Sequence, residues 1–237
     1  MARHGAEVGG PRLFAPAHLD WWIGWLFMIG STCFAVASLP VVAVRVDPVG
    51  IGWTYFIGSV FFTSAASLQF LQALVASWEE AEIEGMPGRM RWLAAWPGLP
   101  RVAAAVQLAG TVFFNVTTYE GLDTAQTTQE AIARVWAPDA FGSVCFLVAS
   151  ELAVIAVCGH LWTRHRHDIP WRIARLNMWG SIFFGISAIT SFILPATGEV
   201  LDAEATNLFT FLGAVCFLAG AWLLLPPVTT PDAAPAD

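Results

Sequence analysis

The sequence predicts an all-α fold: a polytopic membrane bundle of six transmembrane helices, paired into three hairpins, with both termini cytoplasmic. Three observations predict it. Of the 237 residues, 57% are hydrophobic and 12% charged, with a mean hydropathy of +0.62; a soluble domain carries about 25% charged residues. Apolar stretches of the ~20 residues needed to cross a bilayer fill nearly all of the chain between residues 21 and 225. Finally, one short motif, Gly followed by a small residue and by Phe four positions on, occurs once in each of those stretches.

The six copies are Gly30-Ser31-Thr32-Cys33-Phe34, Gly58-Ser59-Val60-Phe61-Phe62, Gly110-Thr111-Val112-Phe113-Phe114, Gly142-Ser143-Val144-Cys145-Phe146, Gly180-Ser181-Ile182-Phe183-Phe184 and Gly213-Ala214-Val215-Cys216-Phe217. A flat Gly patch with an aromatic plug one turn away lets two helix backbones approach closely in lipid, where packing rather than the hydrophobic effect drives helix association. Gly30, Gly58, Gly110, Gly142, Gly180 and Gly213 are therefore helix-packing candidates.

Orientation follows from the arginines. With the amino terminus inside, Arg3, Arg12, Arg89, Arg91, Arg101, Arg164, Arg166, Arg172 and Arg175 are cytoplasmic, nine of the eleven basic residues. Arg45 and Arg134 remain outside. The outer loops gather Asp47, Glu120, Asp123, Glu130, Asp139, Glu199, Asp202 and Glu204, an acidic external face.

Residues 1–20, rich in Gly, Pro, Ala and Arg, form a cytoplasmic tail. The transmembrane domain spans 21–225. Helix one, 21–44, opens on the interfacial Trp21-Trp22 pair and has Pro40 near its outer end, and a tight turn leads to helix two, 51–77. The next inner loop carries Glu79, Glu80, Glu82 and Glu84, a solvated extension of helix two; Arg89 to Trp96 then mixes Arg with Trp92 and Trp96 and suits the headgroup plane. Helix three, 101–119, starts after Pro100, which fits a first helical turn. A polar loop with room for a surface helix from Thr128 to Val135 precedes helix four, 138–162. Arg164, His165, Arg166 and His167 make a basic belt suited to anionic headgroups. Helix five, 171–194, stops at Pro195; helix six, 207–225, stops at Pro226-Pro227. The composition of 226–237 is that of a disordered cytoplasmic tail. The first apolar stretch is longer than the core of a cleavable signal peptide, so none is expected.

Several chemistries lack their residues. All eleven basic residues are Arg, so no Lys exists for a Schiff base or a phosphate loop. Cys33, Cys145, Cys158 and Cys216 form no Cys-x-x-Cys pair, and the five His lie at the termini or the inner surface, so neither a metal nor a haem is suggested and no cofactor is expected. No Ser-His-Asp set or His-Glu-x-x-His is present.

Glu151 is the one acid at mid-membrane depth, where an ionised carboxylate costs at least ~2.5 kcal/mol on insertion scales. It is either a proton, cation or ligand site or a protonated Glu bonded to a neighbouring helix. On a helical wheel it lies opposite Gly142, so it faces a second helix, another subunit or a partner. Gln72, Gln107 and Asn177 each sit six residues from an inner marker, hence about 9 Å into the membrane. They form either interhelical glue or an inner vestibule, which Gln69 and Asn115 with Thr117 and Thr118 would have to extend outward.

The runs Trp21 to Ser31, Gln107 to Asn115 and Pro138 to Phe146, together with Pro195 to Glu199 and Asn207 to Gly220, resemble the YrhK-like domain of bacterial membrane proteins. The resemblance covers most of 21–225. It implies a small bacterial multi-pass protein and assigns no activity to any residue. The expected function is that of a non-catalytic plasma-membrane bundle, with the lipid bilayer, a second copy of itself or another membrane protein as partner and no role for nucleic acid. The alternative is a small proton-linked transporter or channel using Glu151.

Overall fold

The computed structural model describes residues 11–83, 98–158 and 168–227. The Arg89–Trp96 segment, the Arg164–His167 belt and residues 228–237 of the carboxyl-terminal tail lie outside them. The described chain is helical: α1 (Leu19–Ala37), α2 (Pro40–Ala43), α3 (Pro48–Ile83), α4 (Leu99–Glu120), α5 (Thr128–Ala131), a π-helical turn (Ile132–Trp136), α6 (Ala137–Cys158), α7 (Ile169–Thr190) and α8 (Ala203–Leu224). Five spans are long and apolar enough to cross a membrane: Leu19–Ala37, Pro48–Ala76, Leu99–Glu120, Thr128–Val157 and Ala203–Leu224. The sixth long helix, α7, has the same 22-residue length as α4 but carries Arg172, Arg175 and Asn177 in its first half.

Local chemistry sets where the helices begin and end. Pro40 stops α1 earlier than 44, because a residue preceding Pro is driven out of the helical region, and Leu39 is extended (φ −77°, ψ 127°). Pro48 and Pro100 open α3 and α4, where the missing N–H costs nothing. α3 continues past Trp78 to Ile83, so the acidic run begins as helix. Pro138 does not start a new helix: Thr127 and Glu130 form a reciprocal capping box at α5, and the π-turn carries the backbone unbroken into α6. α7 ends at Thr190, short of Pro195, since residues 191–202 turn back through an Ile193–Val200 bridge, with Gly198 at φ 74°. Asp202 then caps α8 through the Ala205 N–H.

The six long helices close into a ring in the order α1, α3, α4, α6, α7, α8 and back to α1. Sequential neighbours α1/α3, α4/α6 and α7/α8 are the hairpins. At one end of the ring the Arg12 N–H donates to the Pro226 carbonyl (2.8 Å), and the indole N–H groups of Trp21 and Trp25 donate to the Leu13 carbonyl, pinning residues 11–18 to α1. The opposite end carries the loops inside each hairpin.

All six motif phenylalanines point to the ring's axis, and each is 7% exposed or less. They form two stacked triangles. Phe34, Phe114 and Phe184 have centroids 5.7–6.5 Å apart, on the hairpin-loop side. Phe62, Phe146 and Phe217, 5.5–6.5 Å apart, lie on the side of the termini. Within each hairpin the two rings touch across the layers at 5.1–5.4 Å, in edge-on or tilted geometry favoured by aromatic quadrupoles.

The glycines make this hub. A Cβ on Gly30 would lie 3.0 Å from the Phe62 ring and one on Gly58 3.0 Å from Phe34. Gly110 and Phe146 (2.7 Å), Gly142 and Phe114 (3.1 Å), Gly180 and Phe217 (2.9 Å), and Gly213 and Phe184 repeat the exchange in the other two hairpins. Each helix thus gives a ring and receives one. The residue after each Gly faces the adjoining helices: Ser31, Ser59, Thr111, Ser143, Ser181 and Ala214 are buried. The outer surface is rich in exposed apolar side chains, Val60, Leu71, Val112, Val144 and Ile189 among many.

Candidate functional site

Above the upper Phe triangle lies a cavity of about 340 Å³, lined by residues of all the hairpins at their loop end. That volume lies within the range of small-molecule sites. Its floor is Phe34, Phe114 and Phe184, its walls include Tyr55, Trp136 and Asp139, and exposed Gly121 and Val200 lie at its rim. The π-turn builds the Trp136 wall: the Trp136 indole N–H donates to the Ala188 carbonyl (2.9 Å), and its ring meets Phe192 edge-on at 4.8 Å. Pro138 removes one N–H from this turn, and the Thr117 hydroxyl donates to the Val135 carbonyl (2.5 Å).

The hydroxyls around the cavity have mostly spent their protons. Thr118 donates to the Phe114 carbonyl (2.6 Å), Ser143 to that of Phe184 (3.3 Å) and Thr206 to that of Asp202 (2.7 Å). Ser38 donates to the Phe34 carbonyl (2.6 Å), so the Tyr55 hydroxyl, 3.0 Å away, must donate to Ser38. Ser187 donates to the Thr206 carbonyl (3.0 Å), so Thr210 donates to Ser187 (2.6 Å) by the same accounting. What remains in the lining is mainly acceptor lone pairs, with the Asn207 amide as a donor that has no hydrogen bond among the described residues.

Asp139 is the one carboxylate in the lining. It is half-buried, and its side chain has one partner among the described residues, the Ser191 hydroxyl at 3.4 Å. Arg134, the nearest cation in sequence, is paired instead with Glu120 (3.8 Å) and Glu130 (3.9 Å). Three other acids of this end have local duties: Asp47 accepts from the Gly50 N–H, Asp123 from Ala125, and Asp202 caps α8. Read from sequence, Asp139 is one more loop acid; nothing in its neighbours signals that it turns inward, apart from Pro138, which there marks a helix start.

The residues singled out in the sequence are dispersed. Glu151 is exposed on the outer side of α6, in one stripe with Phe141, Val144 and Val148, and makes no hydrogen bond or ion pair among the described residues. Gln72 donates to Asp20 (2.7 Å), joining α3 to α1. Gln107 donates to Gln69 (3.3 Å), and with Asn177 these two line a cavity of about 30 Å³ beneath the lower Phe triangle, where Gly220 leaves room for the Asn177 amide. Asn115 donates to Thr63 (2.8 Å), tying α4 to α3. Gln107 and Asn177 therefore share a site, whereas Gln72, Asn115 and Glu151 stand apart from it. Between this small polar chamber and the larger cavity stand both layers of phenylalanine. No protein-family model, curated protein or solved structure matches the chain.

Proposed function

We propose that the chain is a six-span plasma-membrane protein of bacterial YrhK-like kind that works by binding rather than by catalysis or conduction. Its termini are cytoplasmic, α7 is the sixth span, and the three hairpins are copies of one unit. The axial cavity lined by Asp139 then opens to the outside. The observation that carries the reading is the double Phe triangle: six rings fill the axis, and the polar groups on either side of them do not join. The arginines supply the orientation, since Arg101, Arg172 and Arg175 lie toward the end of the ring where the chain begins and ends. The exposed stripe of Phe141, Val144, Val148 and Glu151 supports contact with a second copy or another membrane protein, because an acid against lipid tails is costly until covered.

The proton-linked transporter, with Glu151 as its carrier, has less support, since Glu151 lies on the outside of the ring. Proteoliposomes carrying the purified chain test the choice. A pH gradient monitored with an entrapped dye should decay as slowly as in empty vesicles, and equally slowly with Glu151→Gln. A flux that the wild type carries and Glu151→Gln abolishes would return the transporter to first place.

A further inference from the structure

The lining of this axial cavity is predominantly acceptor. Most of its hydroxyl protons go to backbone carbonyls or to other hydroxyls, so the oxygens of Thr117, Thr118, Ser143 and Ser187 are left with lone pairs, while the single Ser191 proton is shared between the Ala188 carbonyl (3.0 Å) and Asp139 (3.4 Å). The Trp136 N–H is committed to Ala188. Of the side chains with N–H donors, Asn207 alone has none of them in a hydrogen bond among the described residues. The carboxylate of Asp139 adds a negative charge with no arginine paired to it among the described residues. Helix dipoles do not offset it, because α3, α6 and α8 start at this end while α1, α4 and α7 finish there. Below and beside the carboxylate are the rings of Phe34, Phe114, Phe184, Tyr55 and Trp136. A carboxylate among acceptor oxygens and aromatic rings is complementary to a donor that carries positive charge, and aromatic surroundings favour an organic ammonium over a strongly hydrated metal cation.

We propose that this cavity binds a small organic ammonium ion, with Asp139 as its counter-ion and the aromatic floor and walls against its methyl or methylene groups. The assignment rests on the binding role proposed above and names the ligand class for that site. An ammonium group reaches this depth either as a free solute or as the headgroup of an aminophospholipid, and the chemistry of recognition is the same.

The test uses the full chain in nanodiscs of phosphatidylglycerol, titrated calorimetrically with methylammonium, tetramethylammonium and choline, and with 3,3-dimethylbutan-1-ol. The last has the shape of choline with carbon in place of charged nitrogen. At least one ammonium ion should bind, its affinity should fall at least tenfold in Asp139→Asn, and the neutral alcohol should bind at least tenfold more weakly than choline if choline is the ligand that fits. A thermal melt of Asp139→Asn matching that of the wild type verifies that the variant is folded, and the comparison of choline with its isostere needs no variant. If ammonium affinity drops when phosphatidylethanolamine is added to the disc, the headgroup is the natural source; if it is unchanged, a free solute is. Equal binding of choline and the neutral alcohol, or undiminished ammonium binding by Asp139→Asn, overturns the ammonium assignment while leaving a binding cavity in place. Absence of heat from all three ammonium ions overturns it as well.

Discussion

The hub of six phenylalanines and the cavity above it are made by the same three hairpins and share the rings of Phe34, Phe114 and Phe184, yet they differ in how much each residue is constrained. In the hub every ring seats on a glycine of the partner helix, and every glycine receives a ring. In the cavity, side chains of different kinds, Tyr55, Trp136, Asp139 and Ser187, surround space that they do not fill. Repetition fixes the fold; the departure from repetition fixes the site. The difference teaches where to expect tolerance, since interiors packed to crystal-like density feel each added or deleted methylene, whereas a cavity's lining does not.

Substitutions in the hub should therefore dominate a stability series. Gly110→Leu has the largest expected effect: the Cβ alone would lie 2.7 Å from the Phe146 ring, and the purified protein should not give a monodisperse peak on size exclusion in detergent. Phe146→Ala should cost ~3–5 kcal/mol in reversible unfolding, the range for emptying a large aromatic site. Gly110→Ala, which overpacks by one methyl, should cost ~1–3 kcal/mol by the same assay. Asp139→Asn should change stability by less than ~1 kcal/mol, since it gives up one 3.4 Å hydrogen bond and an unpaired charge together. A loss as large as that of Phe146→Ala would mean that the cavity's lining is as constrained as the hub and would erase the contrast. The smallest effect belongs to Glu151→Gln, within ~0.5 kcal/mol in detergent, because the side chain is exposed and touches no polar group among the described residues. Cross-linking in native membranes sharpens that case: if the outward stripe meets a partner, Glu151→Gln alters the cross-linked species while leaving the melt unchanged.

The hub is legible in the sequence because its logic is periodic. A Gly and a Phe one turn apart, repeated in every apolar stretch, state which face packs, and the structure seats the rings of each hairpin on its opposing glycines. The limits of α1 and α7 were less legible. Pro40 ends α1 early, and α7 stops before Pro195 because the loop's own hydrogen bonds, such as the Asp202 N–H to the Thr190 carbonyl (3.0 Å), compete with another helical turn.

The cavity was hidden for two reasons. Asp139 beside Pro138 has the local signature of an external loop, and the π-turn that carries the backbone through it has no sequence mark. The direction in which a helix residue faces also depends on how the ring closes. Asp139 and Glu151 share α6 and are separated by one third of a turn in projection, about 120° at 100° per residue. Depth arithmetic selected Glu151, yet the inward position is held by Asp139. Depth places Gln72 and Gln107 in one polar layer with Asn177, and Asn115 on its outward extension, but only assembly shows that Gln72, Gln107 and Asn115 pair with Asp20, Gln69 and Thr63 respectively.

The meeting of the Arg12 and Pro226 backbones has a consequence for chain order. Because α1 and α8 are neighbours and the Arg12 and Pro226 backbones beside them meet in one hydrogen bond (2.8 Å), the ring has no natural first hairpin. A circular permutant begun at Leu99 and ended at Ile83, with the old ends joined by a short linker, keeps every reciprocal seat of Phe on Gly within an uncut hairpin. The order in which the three hairpins are synthesised is then separable from the architecture they reach.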